Sequence, residues 1–222
     1  MSTKQPLTDA EARDQLLWTA QEMLRSGLVE GTAGNLAARL PDGNVVLTPS
    51  SLDYLEMGLD DLVVCDLDGT VVEGHRTPTS EKSLHLSALR SYPEIGATMH
   101  CHAKYATMFA VTRQPIPAVI EEFDVYVGGD VEVAEYRTTG TDELAEEVAA
   151  RVGRKAAVLM ANHGLFVVGR TPKDVLHIAQ LIERTAEIIH GARALGTVVP
   201  LPDAVNQQFS GYYRYGRTGS FD

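Results

Sequence analysis

Apolar residues recur at helical spacing through Leu16, Leu17, Ala20, Met23 and Leu24, which predicts an amphipathic first helix. Thr8-Asp9-Ala10-Glu11 reads as its capping box, and Gly27 as its stop. Shorter apolar runs at 44–48 and 62–66 predict strands. Asp66-Leu67-Asp68-Gly69 is a turn, so 70–73 should return as the second arm of a hairpin. Ser80 is placed to open a helix whose inner face is Leu84, Ala88 and Leu89 and which Pro93 stops. Residues 95–102 read as a buried strand, 105–111 as a helix and 131–136 as a strand. Thr141 opens a helix to Val152. Strands at 155–161 and 165–168 flank the turn Asn162-His163-Gly164, and Pro172 starts a long helix ending near Leu195. Gly31 to Asn35 and Thr48 to Ser51 read as turns.

Strands interspersed with helices, some paired as hairpins, predict an α/β fold with helices packed on a mostly antiparallel sheet. Neither a repeat nor a linker interrupts the chain, so residues 1–222 are expected to form one domain. Residues 206–222 lack an apolar period and read as a C-terminal tail that contributes little to stability. Tyr212, Tyr213, Arg214, Tyr215 and Arg217 nevertheless crowd there, which suits either an idle end or a lid over a polar ligand.

Composition narrows the function classes. Thirty acidic residues against 19 Lys and Arg leave a net charge of −11, which disfavours nucleic acid as the partner. An anionic ligand would need local donors to bind against that field. The longest apolar run, Ala156 to Ala161, is too short to span a bilayer, and Met1 to Pro6 contains no signal-peptide core. Two cysteines, Cys65 and Cys101, exclude a disulfide scaffold and point to a reducing cytoplasm.

The chemistry concentrates in His100-Cys101-His102 at the end of an apolar strand. Side chains two apart on a strand share a face, so both imidazoles look the same way and Cys101 the other. His163, in its turn, is a third candidate, with Gly164 leaving room beside it. Three imidazoles and an open position match catalytic rather than structural zinc. Taken alone, the histidines fit equally well as core and turn residues. Glu81 could be a fourth ligand or a base, and His85, four residues on, shares its helix face. Glu183 and Glu187 read as a solvated or intersubunit face, and Asp66 and Asp68 as turn-shaping residues.

The ordered blocks Gly31-Thr32-Ala33-Gly34-Asn35, Thr48-Pro49-Ser50-Ser51, Pro78-Thr79-Ser80-Glu81, Tyr92-Pro93-Glu94, His100-Cys101-His102 and Asn162-His163-Gly164 resemble the class II aldolase/adducin family. The resemblance covers residues 8–195 and implies an α/β/α sandwich. It implies His100, His102 and His163 as metal ligands, with Glu81 as the acid/base that also ligates the resting metal. Family epimerases carry Asp where this chain has Glu81. His85 corresponds to a residue that is not a ligand. The implied phosphate pocket is Thr32, Asn35, Ser50, Ser51, Thr79 and Ser80, and Ser51 replaces a family Gly.

The implied reaction is cleavage of a ketose 1-phosphate, such as L-fuculose 1-phosphate, into dihydroxyacetone phosphate and a small aldehyde such as L-lactaldehyde. Epimerase, dehydratase and decarboxylase chemistry run on the same scaffold. One divalent ion per subunit is implied, zinc first, with manganese, cobalt or iron also compatible. Family members build the site between subunits of a homo-oligomer, typically a homotetramer. The family's second acid, a Tyr, is replaced near residue 122, which leaves Glu122, Tyr126 or Tyr213 for that role.

Overall fold

The computed structural model describes residues 7–219. Helix α1 (Asp9–Arg25) begins with the expected capping box: Thr8 accepts from the Glu11 N–H, and Glu11 accepts from the Thr8 N–H. Strands β1 (Asn35–Arg39), β2 (Val45–Leu47), β3 (Val63–Cys65) and β4 (Val71–Glu73) follow. Asp66 closes the β3–β4 turn by accepting from the N–H groups of Asp68 and Thr70. Next come α2 (Lys82–Ser91), β5 (Ala97–Cys101), α3 (Lys104–Thr112), α4 (Glu121–Val127) and β6 (Val133–Ala134). The chain continues as α5 (Asp142–Arg151), β7 (Ala157–Met160), β8 (Gly164–Gly169), α6 (Pro172–Leu195) and α7 (Asp203–Thr218).

All strands join one sheet in the order β4-β3-β2-β1-β5-β8-β7-β6. Every pairing is antiparallel except β6 with β7. The sheet is covered on both sides, as an α/β/α sandwich requires. One core packs α1, α3 and α6 against Leu36, Met99, Cys101, Leu165 and Val167. The other packs α2 and α5 against Ala37, Leu47, Val158, Phe166 and Val168. Alternation along each strand supplies both faces, so central strands such as β5 are buried throughout.

Three elements depart from the sequence reading. The expected turn ending at Asn35 leads directly into β1, a central strand. Its Asn-Leu-Ala-Ala-Arg run has no strand-forming composition, and pairing to β2 on one side and β5 on the other decides it. The segment before Gly128 forms a short helix, α4. The supposed tail is mostly helix: α7 runs to Thr218, and residues 220–222 lie outside the described residues. Its apolar ridge is Val205, Phe209 and Tyr213, spaced by four and continued by Arg217.

Helix α7 packs against α4, where the Tyr213 ring fills the space beside Gly128. A Cβ there would lie 2.3 Å from that ring, and φ is +86°, so only glycine fits. Arg217, 8% exposed, pairs with Glu94 at 3.0 Å and donates to the carbonyls of Val152 and Lys155 and to the Tyr213 hydroxyl. The end of the chain is therefore clamped to the segments leading into β5 and β7, contrary to the expectation of a tail that contributes little to stability. Arg217→Ala should destabilise the protein by about 1–3 kcal/mol, since it removes charge-assisted hydrogen bonds to Glu94 and two carbonyls. Urea denaturation of the variant measures this.

Candidate active site

The site forms where the ends of β1 and β5 meet the β7–β8 turn. Asn35 is register-paired with His100, and Cys101 with Leu165. Two glycines permit this convergence. A Cβ on Gly34 would lie 2.8 Å from the His100 carbonyl oxygen, and one on Gly164 would lie 2.5 Å from that of Cys101. Asn162 adopts a left-handed φ of 55° and accepts a hydrogen bond from Arg113, which shapes the turn carrying His163.

His100, His102 and His163 come together, with one donor atom from each lying within 4.8 Å of the others. The His100 ring is fully buried, and its Nδ1 lies 3.1 Å from the Leu165 carbonyl oxygen. A carbonyl only accepts, so Nδ1 carries the proton and Nε2 keeps its lone pair. That lone pair faces His102 Nε2 at 3.1 Å. Burial first, and then the neighbouring His163 and His102, hold His100 well below the ordinary imidazole range. Burial also lowers His163, although Glu81 opposes the shift. Thr139 Oγ1, 3.4 Å from His163 Nδ1, leaves Nε2 of that ring turned toward the cluster.

Glu81 is the N-cap residue of α2 and is 6% exposed. Its Oε2 accepts from Asn35 Nδ2 at 2.9 Å and lies 3.4 Å from His100 Nε2. Its Oε1 lies 3.6 Å from His163 Nε2 and, though buried, has no hydrogen-bond partner. Two imidazole nitrogens at 3.1 Å and an orphaned carboxylate oxygen fit a cation bound among them. Tetrahedral donors with bonds of about 2.05 Å are separated by about 3.3 Å, close to the spacings found here. The donor set therefore fits a divalent metal held by the three histidines, with Glu81 beside it.

The other sequence candidates divide into two groups. Ser50, Ser51, Thr79 and Ser80 are brought together because Pro49 and Pro78 form a bridge, with Thr79 N–H donating to Thr48 and Ser50 N–H to Thr77. Ser51 has φ of 57°, which explains why glycine is the expected residue there. Thr32 is exposed in the turn before β1. Asn35 is buried, and its side chain is engaged by Glu81 and His85. Glu122, Tyr126 and Tyr213 belong to α4 and α7. Tyr126, in edge-on contact with His177, and Tyr213 line a cavity of about 160 Å³ beside Gly169. Gly169 is five residues along β8 from Gly164, about 16 Å from the histidine end of that strand.

Glu183 is not simply solvated. It accepts from the N–H groups of Tyr105 and Ala106 at 2.9 Å each, capping α3 directly after His102. Thr139 and Thr98 also escaped the sequence reading. Neither lies in a motif block, and each reaches the site only through tertiary packing.

The profile of the Class II Aldolase and Adducin N-terminal domain matches residues 14–190. The chain belongs to this family. The 5-deoxy-D-ribulose 1-phosphate aldolase of Bacillus thuringiensis serovar kurstaki is 34% identical over 90% of this chain and 96% of its own. The L-ribulose-5-phosphate 4-epimerase UlaF of Salmonella paratyphi B is 30% identical over 89% of this chain and 92% of its own. A solved L-fuculose 1-phosphate aldolase superposes with a TM-score of 0.88 at 33% identity, covering 94% of this chain and 98% of that one. The family's relatives named as aldolases are lyases, and the one named as an epimerase catalyses a different reaction on the same scaffold. No helix among the described residues is long and apolar enough to cross a membrane.

His102→Ala should abolish stoichiometric binding of a divalent ion, measured by metal analysis after dialysis. In the unaltered protein, protons should displace the ion only below pH about 6.5, because His100 and His163 are held under the usual imidazole range.

Proposed function

We propose that the protein is a metal-dependent aldolase that cleaves a ketose 1-phosphate into dihydroxyacetone phosphate and a small aldehyde. The observation that carries this reading is Glu81: a buried carboxylate with one oxygen held by Asn35 and the other free beside three convergent imidazoles. L-Fuculose 1-phosphate, giving L-lactaldehyde, is the first candidate substrate. The relative named for 5-deoxy-D-ribulose 1-phosphate supports the same class, since both sugars release an aldehyde ending in a methyl group.

A divalent ion, zinc first and manganese, cobalt or iron also compatible, supplies a Lewis acid for the ketose carbonyl. The protein's own residues do the rest. Ser50, Ser51, Thr79 and Ser80, with Thr32 of the turn before β1, offer hydroxyl donors to the phosphate, Thr79 and Ser80 directly preceding Glu81 and α2. That local concentration offsets the net charge of −11. Asn35 serves this pocket indirectly, by orienting Glu81 at its edge. As the C3–C4 bond breaks, the C4 hydroxyl gives up its proton to a base. The bonding pair stays on C3; Glu81, which takes up a proton from solvent as substrate binds, delivers it to C3 of the dihydroxyacetone phosphate half, and the base releases its own proton to solvent.

Glu122, Tyr126 and Tyr213 remain our candidates for the group at the C4 oxygen. Tyr126 and Tyr213 line the cavity beside Gly169, at the end of β8 opposite to the histidines of their own chain. They fit the role only when supplied by a neighbouring subunit. We therefore place the working unit as a symmetric homo-oligomer, a homotetramer by family resemblance, in a reducing cytoplasm where the buried thiols of Cys65 and Cys101 stay free. Sedimentation should give four chains per particle at working concentration; a fully active monomer would refute this arrangement.

Glu81→Gln should keep the fold and the bound metal while lowering turnover by about 10²-fold or more. The assay couples cleavage of L-fuculose 1-phosphate and 5-deoxy-D-ribulose 1-phosphate to detection of dihydroxyacetone phosphate, with L-ribulose 5-phosphate as the epimerase control. Turnover of the control alone would replace aldol cleavage by 4-epimerisation.

A further inference from the structure

Behind Glu81 runs a buried polar chain that the reaction as described does not use. Thr98 Oγ1 is 2.6 Å from His85 Nδ1, His85 Nε2 is 2.6 Å from Asn35 Oδ1, and Asn35 Nδ2 is 2.9 Å from Glu81 Oε2. Thr98 and His85 are fully buried, and Asn35 and Glu81 are each 6% exposed. Thr98 sits two residues before His100 on the same face of β5, and His85 one helical turn after Glu81 on α2.

The direction of each bond follows from the acceptor at the end. A carboxylate oxygen can only accept, so the Asn35 NH₂ must face Glu81. Asn35 Oδ1 then faces His85 and must accept from Nε2–H. Burial without a counter-charge pushes His85 down to about 3, so the ring is neutral and carries a single proton. Nδ1 is therefore a bare acceptor, and the Thr98 hydroxyl donates to it.

We infer that Thr98 and His85 are positioning residues for Glu81: their one-way hydrogen-bond chain fixes the Asn35 amide so that it holds one carboxylate oxygen and leaves the other free to exchange a proton with substrate. The inference rests on the reading of Glu81 as the proton carrier. Removing the Thr98 hydroxyl leaves Nδ1 an unpaired buried acceptor and takes away the bond that fixes the His85 ring from behind. A ring free to tilt loosens its Nε2–H bond to Asn35 Oδ1, and the amide can then turn over and aim its carbonyl at Glu81 Oε2. Two acceptors at 2.9 Å repel, and the carboxylate loses its set orientation.

The test has two independent arms. Nitrogen-15 NMR of the metal-loaded protein should show His85 protonated on Nε2 at neutral pH. Protonation on Nδ1, or on both nitrogens, overturns the inference whatever reaction the enzyme performs. In the second arm, Thr98→Val, a near-isosteric change, should leave the His85 proton on Nε2 but lower kcat for solvent exchange of the dihydroxyacetone phosphate C–H proton by about tenfold. Metal content and KM should stay unchanged, and Thr98→Ser should restore kcat. Unchanged kcat in Thr98→Val overturns the inference. So does a parallel fall in kcat, metal content and melting temperature that Thr98→Ser fails to rescue. If Thr98→Val does not fold, the unaltered protein's tautomer and the kcat of Thr98→Ser decide. A wild-type enzyme with the Nε2 tautomer but without C–H exchange would instead count against the aldolase reading alone.

Discussion

Everything in the site depends on keeping a carboxylate buried among imidazoles. Removing Glu81 from water costs several kcal/mol unless its charge is met by donors or a cation. Asn35 meets one oxygen, and the other is left toward His163 with no donor of its own. The three imidazoles cannot all repay that cost as neutral rings. His100 Nε2 in particular presents a lone pair to its neighbours. The cluster is thus a set of electron-pair donors whose charge balance calls for a cation, which the proposed divalent ion would supply.

The fold answers that constraint through placement. Glu81 and His85 come from one turn of α2, Asn35 from β1, Thr98 and His100 from β5, and His163 from the β7–β8 turn. These elements are held in register by ladders on both sides of β5. Because β5 is central and flanked by two cores, a shift of one residue would drive Met99 and Cys101 into the site and His100 into the core beneath α1 and α6. Glu183 adds a second fixing point by capping α3 just after His102. The result is a rigid metal-ready centre joined to an exposed loop pocket, a division suited to a small phosphorylated ligand.

The far end of the sheet is organised for a different purpose. Helices α4 and α7 pack on one another, with Tyr213 lodged at Gly128 and Arg217 tied to Glu94 and two carbonyls. This clamp gives the aromatic C-terminal segment a fixed geometry. In the proposed oligomer such anchoring would spare the segment the conformational entropy that a free tail loses each time it docks.

The periodic elements were legible in the sequence because their signals are local. Capping chemistry marks α1, α5 and α6, alternation and turn residues mark the β3–β4 hairpin, and the i, i+2 histidines mark one face of β5. The ordered motif blocks likewise carried the family and named the three histidines that the fold brings together. What stayed hidden was set by long-range contact. The Leu-Ala-Ala run of β1 becomes a strand only because two neighbours pair with it, and α7 becomes an ordered helix because Tyr213 packs at the end of α4 and Arg217 binds the segments leading into β5 and β7. The pairing of Glu81 with His85 shows the boundary most clearly. Sequence spacing placed both on one helix face and allowed a shared metal. The tertiary structure instead inserted Asn35, 46 residues from Glu81 and 50 from His85, between them. A hydrogen-bond chain through Asn35 needs atoms within about 3 Å, and only packing can bring residues so distant in sequence that close.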